Sequence, residues 1–278
     1  MNQIKQISLT KKLSLGTDKL VFFSGPCAIE SESICDEIAE FLIKLQKEEQ
    51  INIVFKASFD KANRSSINSF RSIGFSKALS ILEKIKKKYQ IPIMTDIHET
   101  WQVNEIKNII DIIQIPAFLC RQTDLIVSAA QSNLAVNIKK GQFMAAEDMQ
   151  YVLEKAYSTN NKNIFLTERG TCFGYQNLVV DFRALSTMKS FCPVVYDITH
   201  AVQKPGKGQG HSLGDPHLSL DLAKAAASIG VSGFFLEIHP NPTKAKSDAA
   251  TMLTLKKCET TIKTLTKIHN YCKNLDEL

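Results

Sequence analysis

The residues INIVFKASFDKANRSS, at positions 51–66, join an apolar run to a cluster of cations. The first five residues have the β-branched and aromatic composition of a buried strand. The stretch that follows, KASFDKANRSS (56–66), carries Lys56, Lys61 and Arg64 among serines and an asparagine. Arginine offers phosphate oxygens a planar fork, and lysine offers them a point charge. The stretch is either an anion receptor or a solvated basic turn. Because a lone buried cation is costly, the position of Lys56 beside a buried run favours the receptor.

Similar apolar runs recur along the chain and alternate with segments of helical period. The runs cover 21–24, 53–57, 91–95, 110–115, 135–139, 164–167, 194–197 and 233–237. Helical patterns follow most of them, including 33–47, 76–89, 145–157 and 218–229. Eight strand patterns separated by helices within about 260 residues predict an α/β fold, a (β/α)8 TIM barrel. A doubly wound sheet is the alternative, but the turn after the first run is GPCAIE rather than the GxGxxG expected there.

The domain organisation predicted from the sequence is simple. Polar and apolar residues alternate over residues 4–15, which predicts a small β-hairpin extension within residues 1–20. The chain has 278 residues, of which 44% are hydrophobic, so it is long enough to bury one large core. No linker or internal repeat divides it. We therefore expect a single domain over residues 1–278.

The charge distribution argues against nucleic acid and membranes as partners. The formal net charge is +6, and the basic residues near the C-terminus are spread through a helical pattern rather than clustered beside aromatic residues. No uncharged apolar run approaches the roughly 18 residues that a membrane span requires. The seven cysteines form no CxxC pair, and no secretory signal precedes the first run. We therefore expect a reducing, cytoplasmic location.

Polar residues follow nearly every predicted strand, and a barrel brings the carboxyl ends of its strands to one mouth. These residues are Cys27, Lys56, Lys61, Asp96, His98, Glu99, Gln114, Lys139, Lys140, Glu168, Arg169, Asp197, His200, Glu237 and His239. Two unit charges about 6 Å apart repel by roughly 3 kcal/mol at an effective dielectric constant of about 20. The cations at this mouth therefore either pair with neighbouring carboxylates or bind highly charged anionic substrates. Arg64 would lie slightly further out, and Arg121 follows the fourth predicted strand.

A second set of residues suggests a metal site, and its members are Cys27, His200, Glu237 and Asp248. A thiolate, an imidazole and two carboxylates suit a borderline divalent ion such as Fe²⁺ or Zn²⁺, or Mn²⁺ and Co²⁺ where these are supplied. Taken singly, Cys27 has the character of a small buried residue and His200 that of a loop histidine. Only a barrel mouth would bring the four together.

Seven segments of the chain are distinctive. They are KASFDKANRSS (56–66), TDIHE (95–99), QIPAFLCRQTDL (114–125), NIKKGQF (137–143), TERGTCFGYQNLVVDFR (167–183), DITHAVQ (197–203) and EIHPNP (237–242). Together they resemble the 3-deoxy-D-manno-octulosonate 8-phosphate synthases, and the resemblance extends over residues 21–248. KANRSS is the most specific motif, because the related 3-deoxy-D-arabino-heptulosonate 7-phosphate synthases have a KPRTS-like segment there.

The resemblance implies a homotetrameric barrel that condenses phosphoenolpyruvate with D-arabinose 5-phosphate, in the pathway to the lipopolysaccharide inner core. By matching position, the residues at phosphoenolpyruvate would be Lys56, Ser58, Lys61, Gln114, Lys139 and Arg169. Those at arabinose 5-phosphate would be Asn63, Arg64 and Ser65, with Arg121 reaching it from a neighbouring subunit. The residues implied at the reacting centre are Asp96, His98, Lys139 and Cys27.

The same resemblance bears on the metal. Family members with Asn at the position of Cys27 work without metal, whereas those with Cys require a divalent ion. The segment GPCAIES (25–31) is similar to the metal-dependent class. The resemblance therefore implies that Cys27, His200, Glu237 and Asp248 bind a divalent metal ion.

One segment departs from the family pattern. After DITHAVQ the family usually has a Gly-Gly segment followed by arginine, whereas residues 204–219 are KPGKGQGHSLGDPHLS, with His211 and no arginine. The segment remains rich in glycine, so we expect a mobile lid. The rival functions are a heptulosonate 7-phosphate synthase, which KANRSS argues against, a class II aldolase or phosphate-ester hydrolase on the same barrel, and a sugar-phosphate-binding protein.

Overall fold

The computed structural model describes residues 5–64, 66–175, 177–208 and 211–276. Its strands are β1 (Ile7–Ser8), β2 (Ser14–Leu15), β3 (Val21–Gly25), β4 (Asn52–Lys56), β5 (Ile93–Asp96), β6 (Ile112–Ile115), β7 (Ala135–Lys139), β8 (Ile164–Glu168), β9 (Thr171–Cys172), β10 (Leu178–Val179), β11 (Val194–Asp197), β12 (Gln203–Gly208), β13 (His211–Gly214) and β14 (Gly233–Glu237). Its α-helices are α1 (Glu32–Glu49), α2 (Phe75–Tyr89), α3 (Gln102–Ile106), α4 (Thr123–Gln131), α5 (Met149–Tyr157), α6 (Phe182–Lys189), α7 (Ser219–Ile229) and α8 (Leu255–Asp276).

Eight of these strands form a closed parallel barrel. Neighbouring strands are hydrogen-bonded in the order β3-β4-β5-β6-β7-β8-β11-β14, and β14 pairs with β3 to close the ring. The predicted (β/α)8 barrel is therefore confirmed, with strand ends displaced by at most two residues from the sequence patterns. Among the helices of the described residues, none has the length and apolar character that crossing a bilayer requires.

Side chains of the barrel strands alternate between two cores, because successive residues of a strand point to opposite faces. The core inside the barrel contains Val21, Phe23, Val54, Met94, Ile112, Ala135, Phe165, Val195 and Phe235. Within it the rings of Phe23 and Phe165 stack with their centroids 5.3 Å apart. Neighbouring strand residues such as Phe22 and Phe55 belong instead to the larger core between strands and helices.

Strands β1 and β2 form the predicted N-terminal hairpin, which closes the amino-terminal end of the barrel. Ile7, Leu9 and Leu15 pack into the inner core. The backbone N–H of Ser8 donates to Oδ1 of Asn163, just before β8 begins, at 3.0 Å. The hairpin thus covers the apolar, amino-terminal end of the barrel. The polar residues of the cavity lie at the opposite, carboxyl end.

The alternation also determines which polar side chains enter that end. The residues two positions after a member of the inner core are Gly25, Lys56, Asp96, Gln114, Asn137, Thr167, Asp197 and Glu237. Because the period of a strand is two, these residues face inward like their apolar predecessors. The polar layer of the barrel is thus a continuation of its apolar core.

Not every polar residue at a strand end faces inward, which corrects part of the sequence interpretation. Lys140 and Glu168 point away from the mouth and form a buried ion pair, with Nζ and Oε2 3.6 Å apart. Glu99 and His239 also do not line the mouth. Both Lys140 and Glu168 are one position out of register with the inward-facing residues, so the pleat directs them to the other face.

Two antiparallel hairpins are absent from the sequence prediction. Strands β9 and β10 pair after β8, and β12 and β13 pair after β11. The expected lid, 204–219, includes most of the second hairpin, although residues 209–210 lie outside the described residues. Pro205 and Leu213 of this segment line the mouth. The mobility of the segment stays a prediction.

Candidate active site

A cavity of about 580 Å³ opens at the carboxyl end of the barrel. Six cationic side chains line it, namely Lys56, Lys61, Arg64, Lys139, Arg169 and Lys246. Three carboxylates line it as well, namely Asp96, Glu237 and Asp248. An excess of one charge sign in a cleft with low-dielectric walls concentrates ligands of the opposite sign. The cavity is therefore suited to anionic ligands.

The three buried lysines of the cavity each have a carboxylate neighbour. Lys56 Nζ donates to Ser58 Oγ at 2.8 Å and lies 3.5 Å from Glu237 Oε1 and 3.7 Å from Asp96 Oδ1. Lys61 Nζ lies 3.9 Å from Glu237 Oε1. Lys139 Nζ donates to a carboxylate at the end of β11 and lies over the ring of Phe235, 3.7 Å from its centroid. Of the two alternatives left open by the sequence, these three lysines therefore show the first, in which a cation pairs with a neighbouring carboxylate.

The two arginines of the cavity differ from the lysines. Arg169, with only 5% of its surface exposed, donates from Nη2 to Gln203 Oε1 at 3.1 Å, while its Nη1 has no hydrogen-bond partner in the described chain. Arg64 donates from Nε to the carbonyl oxygen of Phe70 at 3.1 Å, and its buried Nη2 also lacks a partner there. Buried polar groups are nearly always hydrogen-bonded, so two unpartnered guanidinium nitrogens point to an anionic ligand at each arginine.

The four residues predicted to bind a metal lie close together. One ligand atom each of Cys27, Glu237 and Asp248 lies within 4.8 Å of the other two. His200 Nε2 lies 3.7 Å from Glu237 Oε2 and 3.7 Å from Asp248 Oδ2. Cys27 Sγ is 2.8 Å from the hydroxyl of Ser247. Cys27 itself is fully buried and is not among the residues that line the cavity.

The chemistry of this donor set fits a divalent cation. Burial, and then the charges of Asp248 and Glu237, raise the pKa of the Cys27 thiol well above its usual range. Oε2 of Glu237 is buried and has no hydrogen-bond partner in the described chain. A buried carboxylate oxygen without a partner is costly, and a bound cation would compensate it and displace the thiol proton. The residues that could hold the ion are Cys27, His200, Glu237 and Asp248.

Asp96 and His98 form a second polar pair in the cavity. His98 Nε2 lies 3.1 Å from Asp96 Oδ2. Burial alone would raise the pKa of Asp96, but the charge of Lys56 and the contact with His98 outweigh it and lower that pKa well below its usual range. Asp96 Oδ1 and His98 Nδ1 have no hydrogen-bond partners among the described residues, so both remain available to a ligand.

The remaining predicted binding residues fall into different places. Gln114 and Asn63 line the cavity. Ser58 is fully buried and does not line it. Arg121 is exposed and does not line the cavity of its own chain, so its contribution to a neighbouring subunit stays a prediction. Ser65 lies outside the described residues.

The sequence interpretation missed several residues that shape the site. The sequence pattern marks Asp197 only as a polar residue at a strand end, although its position three residues before His200 is a signal for a histidine partner. The pattern marks Phe235 only as a strand residue, yet Lys139 Nζ lies over its ring. Lys246 Nζ lies 4.8 Å from the ring centroid of Phe70, and both residues line the cavity. No periodic pattern marks Lys246, because it lies on the loop after β14.

Comparison with known proteins identifies the family. The model of the DAHP synthetase I family matches residues 4–274, nearly the whole chain. The chain belongs to the DAHP synthetase I family. Its match begins before the first barrel strand and ends within α8, so the family similarity includes every residue of the cavity.

Relatives within this family have a consistent name. The 2-dehydro-3-deoxyphosphooctonate aldolase of Fusobacterium nucleatum is 45% identical over 276 residues, which cover 99% of each chain. That of Francisella tularensis subsp. holarctica is 48% identical over 263 residues, covering 94% of this chain and 95% of the relative. That of Helicobacter acinonychis is 47% identical, covering 95% of this chain and 99% of the relative. The resemblance based on the sequence motifs is therefore confirmed.

Proposed function

We propose that this chain condenses phosphoenolpyruvate with D-arabinose 5-phosphate and water. The products would be 3-deoxy-D-manno-octulosonate 8-phosphate and inorganic phosphate, as a step of lipopolysaccharide inner-core sugar biosynthesis. The observation that carries the proposal is the pair of unpartnered buried nitrogens, Arg169 Nη1 and Arg64 Nη2, in one cation-rich cavity. Two separate arginines suit two phosphorylated substrates. The names of the relatives support the eight-carbon product.

Each substrate is assigned to one part of the cavity. Phosphoenolpyruvate lies against Lys56, Lys61, Gln114, Lys139 and Arg169, with Ser58 orienting Lys56 through the 2.8 Å hydrogen bond. Arabinose 5-phosphate lies against Asn63 and Arg64, together with Ser65 and with Arg121 of a neighbouring subunit. The cations offset the repulsion between two substrates that are both negatively charged.

The reaction requires alignment more than covalent catalysis. C3 of phosphoenolpyruvate forms a bond to the aldehyde carbon of the open-chain sugar, and the aldehyde oxygen takes up a proton. Water then adds at C2, and the bond between C2 and the phosphate oxygen breaks, which leaves a ketone and releases phosphate. Holding two reactants in the orientation that the reaction requires can lower the activation free energy by about 7–11 kcal/mol. Asp96 lies beside Lys56, and His98 contacts Asp96. This pair carries the proton transfers of the reaction.

A divalent metal ion held by Cys27, His200, Glu237 and Asp248 belongs to this proposal. Fe²⁺ or Zn²⁺ suits the mixed thiolate, imidazole and carboxylate set, and Mn²⁺ or Co²⁺ could replace them. When bound, the ion would supply positive charge that orients the acceptor substrate and water. Lys56 and Lys61 lie on the other side of Glu237 and limit the negative charge that the ligand set accumulates.

Assembly and location are the broader parts of the proposal. The proposal includes a homotetramer in which the exposed side chain of Arg121 completes the acceptor site of an adjacent subunit. A cytoplasmic location agrees with seven cysteines that are all free thiols.

A phosphate-release assay tests the activity. Purified protein should release inorganic phosphate when phosphoenolpyruvate and arabinose 5-phosphate are both present, and prior treatment with a chelator should abolish the release. Neither substrate alone should produce phosphate. Release from one substrate alone would indicate a phosphate-ester hydrolase instead.

A second candidate follows from the breadth of the family, whose description refers to DAHP synthetase. That enzyme would take erythrose 4-phosphate as the acceptor. The same assay distinguishes the two, because kcat/KM for arabinose 5-phosphate should exceed that for erythrose 4-phosphate by at least about tenfold, a difference of roughly 1.4 kcal/mol in transition-state binding. The opposite preference would replace the proposal with the heptulosonate activity.

A further inference from the structure

Asp197 lies between the metal-ligand set and the anion-binding lysines. It ends β11, is fully buried and accepts four different hydrogen bonds. Oδ1 accepts from the backbone N–H groups of Thr199 and His200 at 3.1 and 2.9 Å. Oδ2 lies 2.8 Å from His200 Nδ1 and also accepts from Lys139 Nζ. The carboxylate of Asp197 therefore contacts both His200, a proposed metal ligand, and Lys139, a proposed substrate-binding residue.

The contact with His200 determines which ring nitrogen carries the proton. A carboxylate can only accept hydrogen bonds, and both oxygens of Asp197 lie closer to His200 Nδ1, at 3.0 and 2.8 Å, than Lys139 Nζ does at 3.4 Å. Nδ1 of His200 is therefore assigned as the donor toward Asp197. In the neutral imidazole the other nitrogen, Nε2, then carries the lone pair, and it lies 3.7 Å from both Glu237 Oε2 and Asp248 Oδ2. This is the tautomer that a metal ligand requires, since a protonated Nε2 cannot donate its lone pair to a cation.

The contact with Lys139 places the same carboxylate in the substrate half of the cavity. Lys139 is 5% exposed, and its ammonium group is held between Asp197 and the ring of Phe235. Without Asp197 this ammonium would have no carboxylate within ion-pair distance among the described residues. The position of Lys139 and the tautomer of His200 are thus both set by Oδ2 of one side chain.

We propose that Asp197 is a positioning residue that selects the metal-binding tautomer of His200 while it holds Lys139 in the anion site. The inference rests on the proposed function in assigning a metal to the four-residue cluster. It goes beyond that function because Asp197 is not among the residues that line the cavity and is not one of the four proposed metal ligands. Its consequence is that metal affinity and substrate affinity are both sensitive to one carboxylate.

The Asp197→Asn variant separates this role from a purely structural one. The asparagine Oδ1 can still accept from the backbone N–H groups of Thr199 and His200, so the turn after β11 is retained. Its amide NH₂ then replaces Oδ2 and faces Lys139 Nζ and His200 Nδ1, both of which are donors. To avoid a donor–donor contact, His200 must move its proton to Nε2, where it opposes metal binding.

The experiment measures Zn²⁺ affinity by competition with a chromophoric chelator. We expect Asp197→Asn to bind Zn²⁺ about 10–100-fold more weakly than the unmodified protein, a range typical for loss of a partner of a metal-bound histidine. KM for phosphoenolpyruvate should rise in the same variant, because Lys139 is no longer held. Asp197→Glu keeps the acceptor and should recover part of the Zn²⁺ affinity.

Asp111→Asn is the matched control. Asp111 also pairs with a lysine, Lys86, at 2.9 Å and also accepts from a backbone N–H, that of Ile93, but it lies at the amino-terminal end of the barrel. This variant removes an equivalent ion pair and should keep the Zn²⁺ affinity. Equal Zn²⁺ affinities in Asp197→Asn and Asp111→Asn would overturn the proposal.

A direct measurement on the unmodified protein covers the case in which Asp197→Asn does not fold. ¹⁵N NMR of the Zn²⁺-loaded protein, assigned with a His200→Gln variant, should show His200 protonated at Nδ1. A proton on Nε2 would overturn the inference. Failure of the proposed function would give a different result, because the unmodified protein would then release no phosphate. The Zn²⁺ affinities and the tautomer of His200 could still be measured, so the two failures can be told apart.

Discussion

Cys27 and Asp248 are 221 residues apart in the sequence, yet Cys27 Sγ lies 3.1 Å from Asp248 Oδ2. Closure of the barrel brings them together, because β14 pairs with β3 in a register that places Glu237 beside Gly25. The segments after these two strands continue side by side, so Cys27 and the loop of Asp248 meet above Glu237. The proposed metal site thus depends on the seam between the first and the last barrel strand.

Removal of the thiol should remove the metal. We expect Cys27→Asn to lose most of its bound Fe²⁺ or Zn²⁺, because an amide oxygen is a weaker ligand than a thiolate for these ions. Metal content by mass spectrometry after dialysis checks this. Cys192→Ala, which removes another fully buried thiol, is the control and should retain its metal. Equal metal content in the two variants would show that Cys27 is no ligand.

Arg64→Ala should weaken the binding of arabinose 5-phosphate far more than the binding of phosphoenolpyruvate. A hydrogen bond to a charged group contributes about 1.5–3 kcal/mol, so KM for the sugar phosphate should rise roughly 10–150-fold. The control is Arg71→Ala on the same loop, since Arg71 is half exposed, pairs with Asp60 and does not line the cavity. Steady-state kinetics with each substrate varied in turn provide the measurement. Equal losses for both substrates would contradict the assignment of Arg64.

Arg169→Lys should impair phosphoenolpyruvate binding although it conserves the charge. Lysine cannot both contact Gln203 and present a second, free nitrogen as the guanidinium does. We expect KM for phosphoenolpyruvate to rise at least about tenfold, with a smaller change for the acceptor. Arg183→Lys, an exposed arginine paired with Asp181, serves as the control for the chemical change itself. Unchanged kinetics in Arg169→Lys would show that the unpartnered nitrogen is not used.

Phe165→Ala should destabilise the barrel. The side chain is fully buried in the inner core and stacks on Phe23. Truncation of a buried phenylalanine costs about 3–5 kcal/mol in the free energy of unfolding. Urea denaturation followed by circular dichroism measures the change. Phe143→Ala, in which 57% of the phenylalanine surface is exposed, should change stability far less, and equal losses would argue against the inner core as described.

Thiol labelling should distinguish the cysteines by burial. Cys172 is exposed and Cys272 is partly exposed, whereas the other five are buried. Burial raises the pKa of both Cys35 and Cys258 to about 12, which leaves little of the reactive thiolate at pH 8. Alkylation followed by mass spectrometry should therefore modify Cys172 first in the folded protein and all seven cysteines after denaturation. Rapid modification of Cys35 in the folded protein would contradict the packing of α1.

The barrel could be predicted because its information is local. Each strand, such as Ala135–Lys139, is a short apolar run that must be buried on both faces, and each helix has its own 3.6-residue period. The eightfold repetition of these patterns identifies the fold without any long-range contact. The hairpins β9–β10 and β12–β13 could not be predicted in this way. Their strands are too short or too irregular to show a two-residue period.

The residues and their spacing are enough to predict the architecture, the residue types at the mouth and the family to which the chain belongs. Which of those residues face one another follows only from the folded arrangement of the strands. Lys139 and Lys140 are adjacent in the chain, but the pleat turns Lys139 into the cavity and Lys140 toward Glu168. Asp197 contacts both Lys139 and His200, and the sequence does not show this either. The contact with Lys139 joins the ends of two different strands, and no periodic pattern in the sequence specifies how close those ends lie.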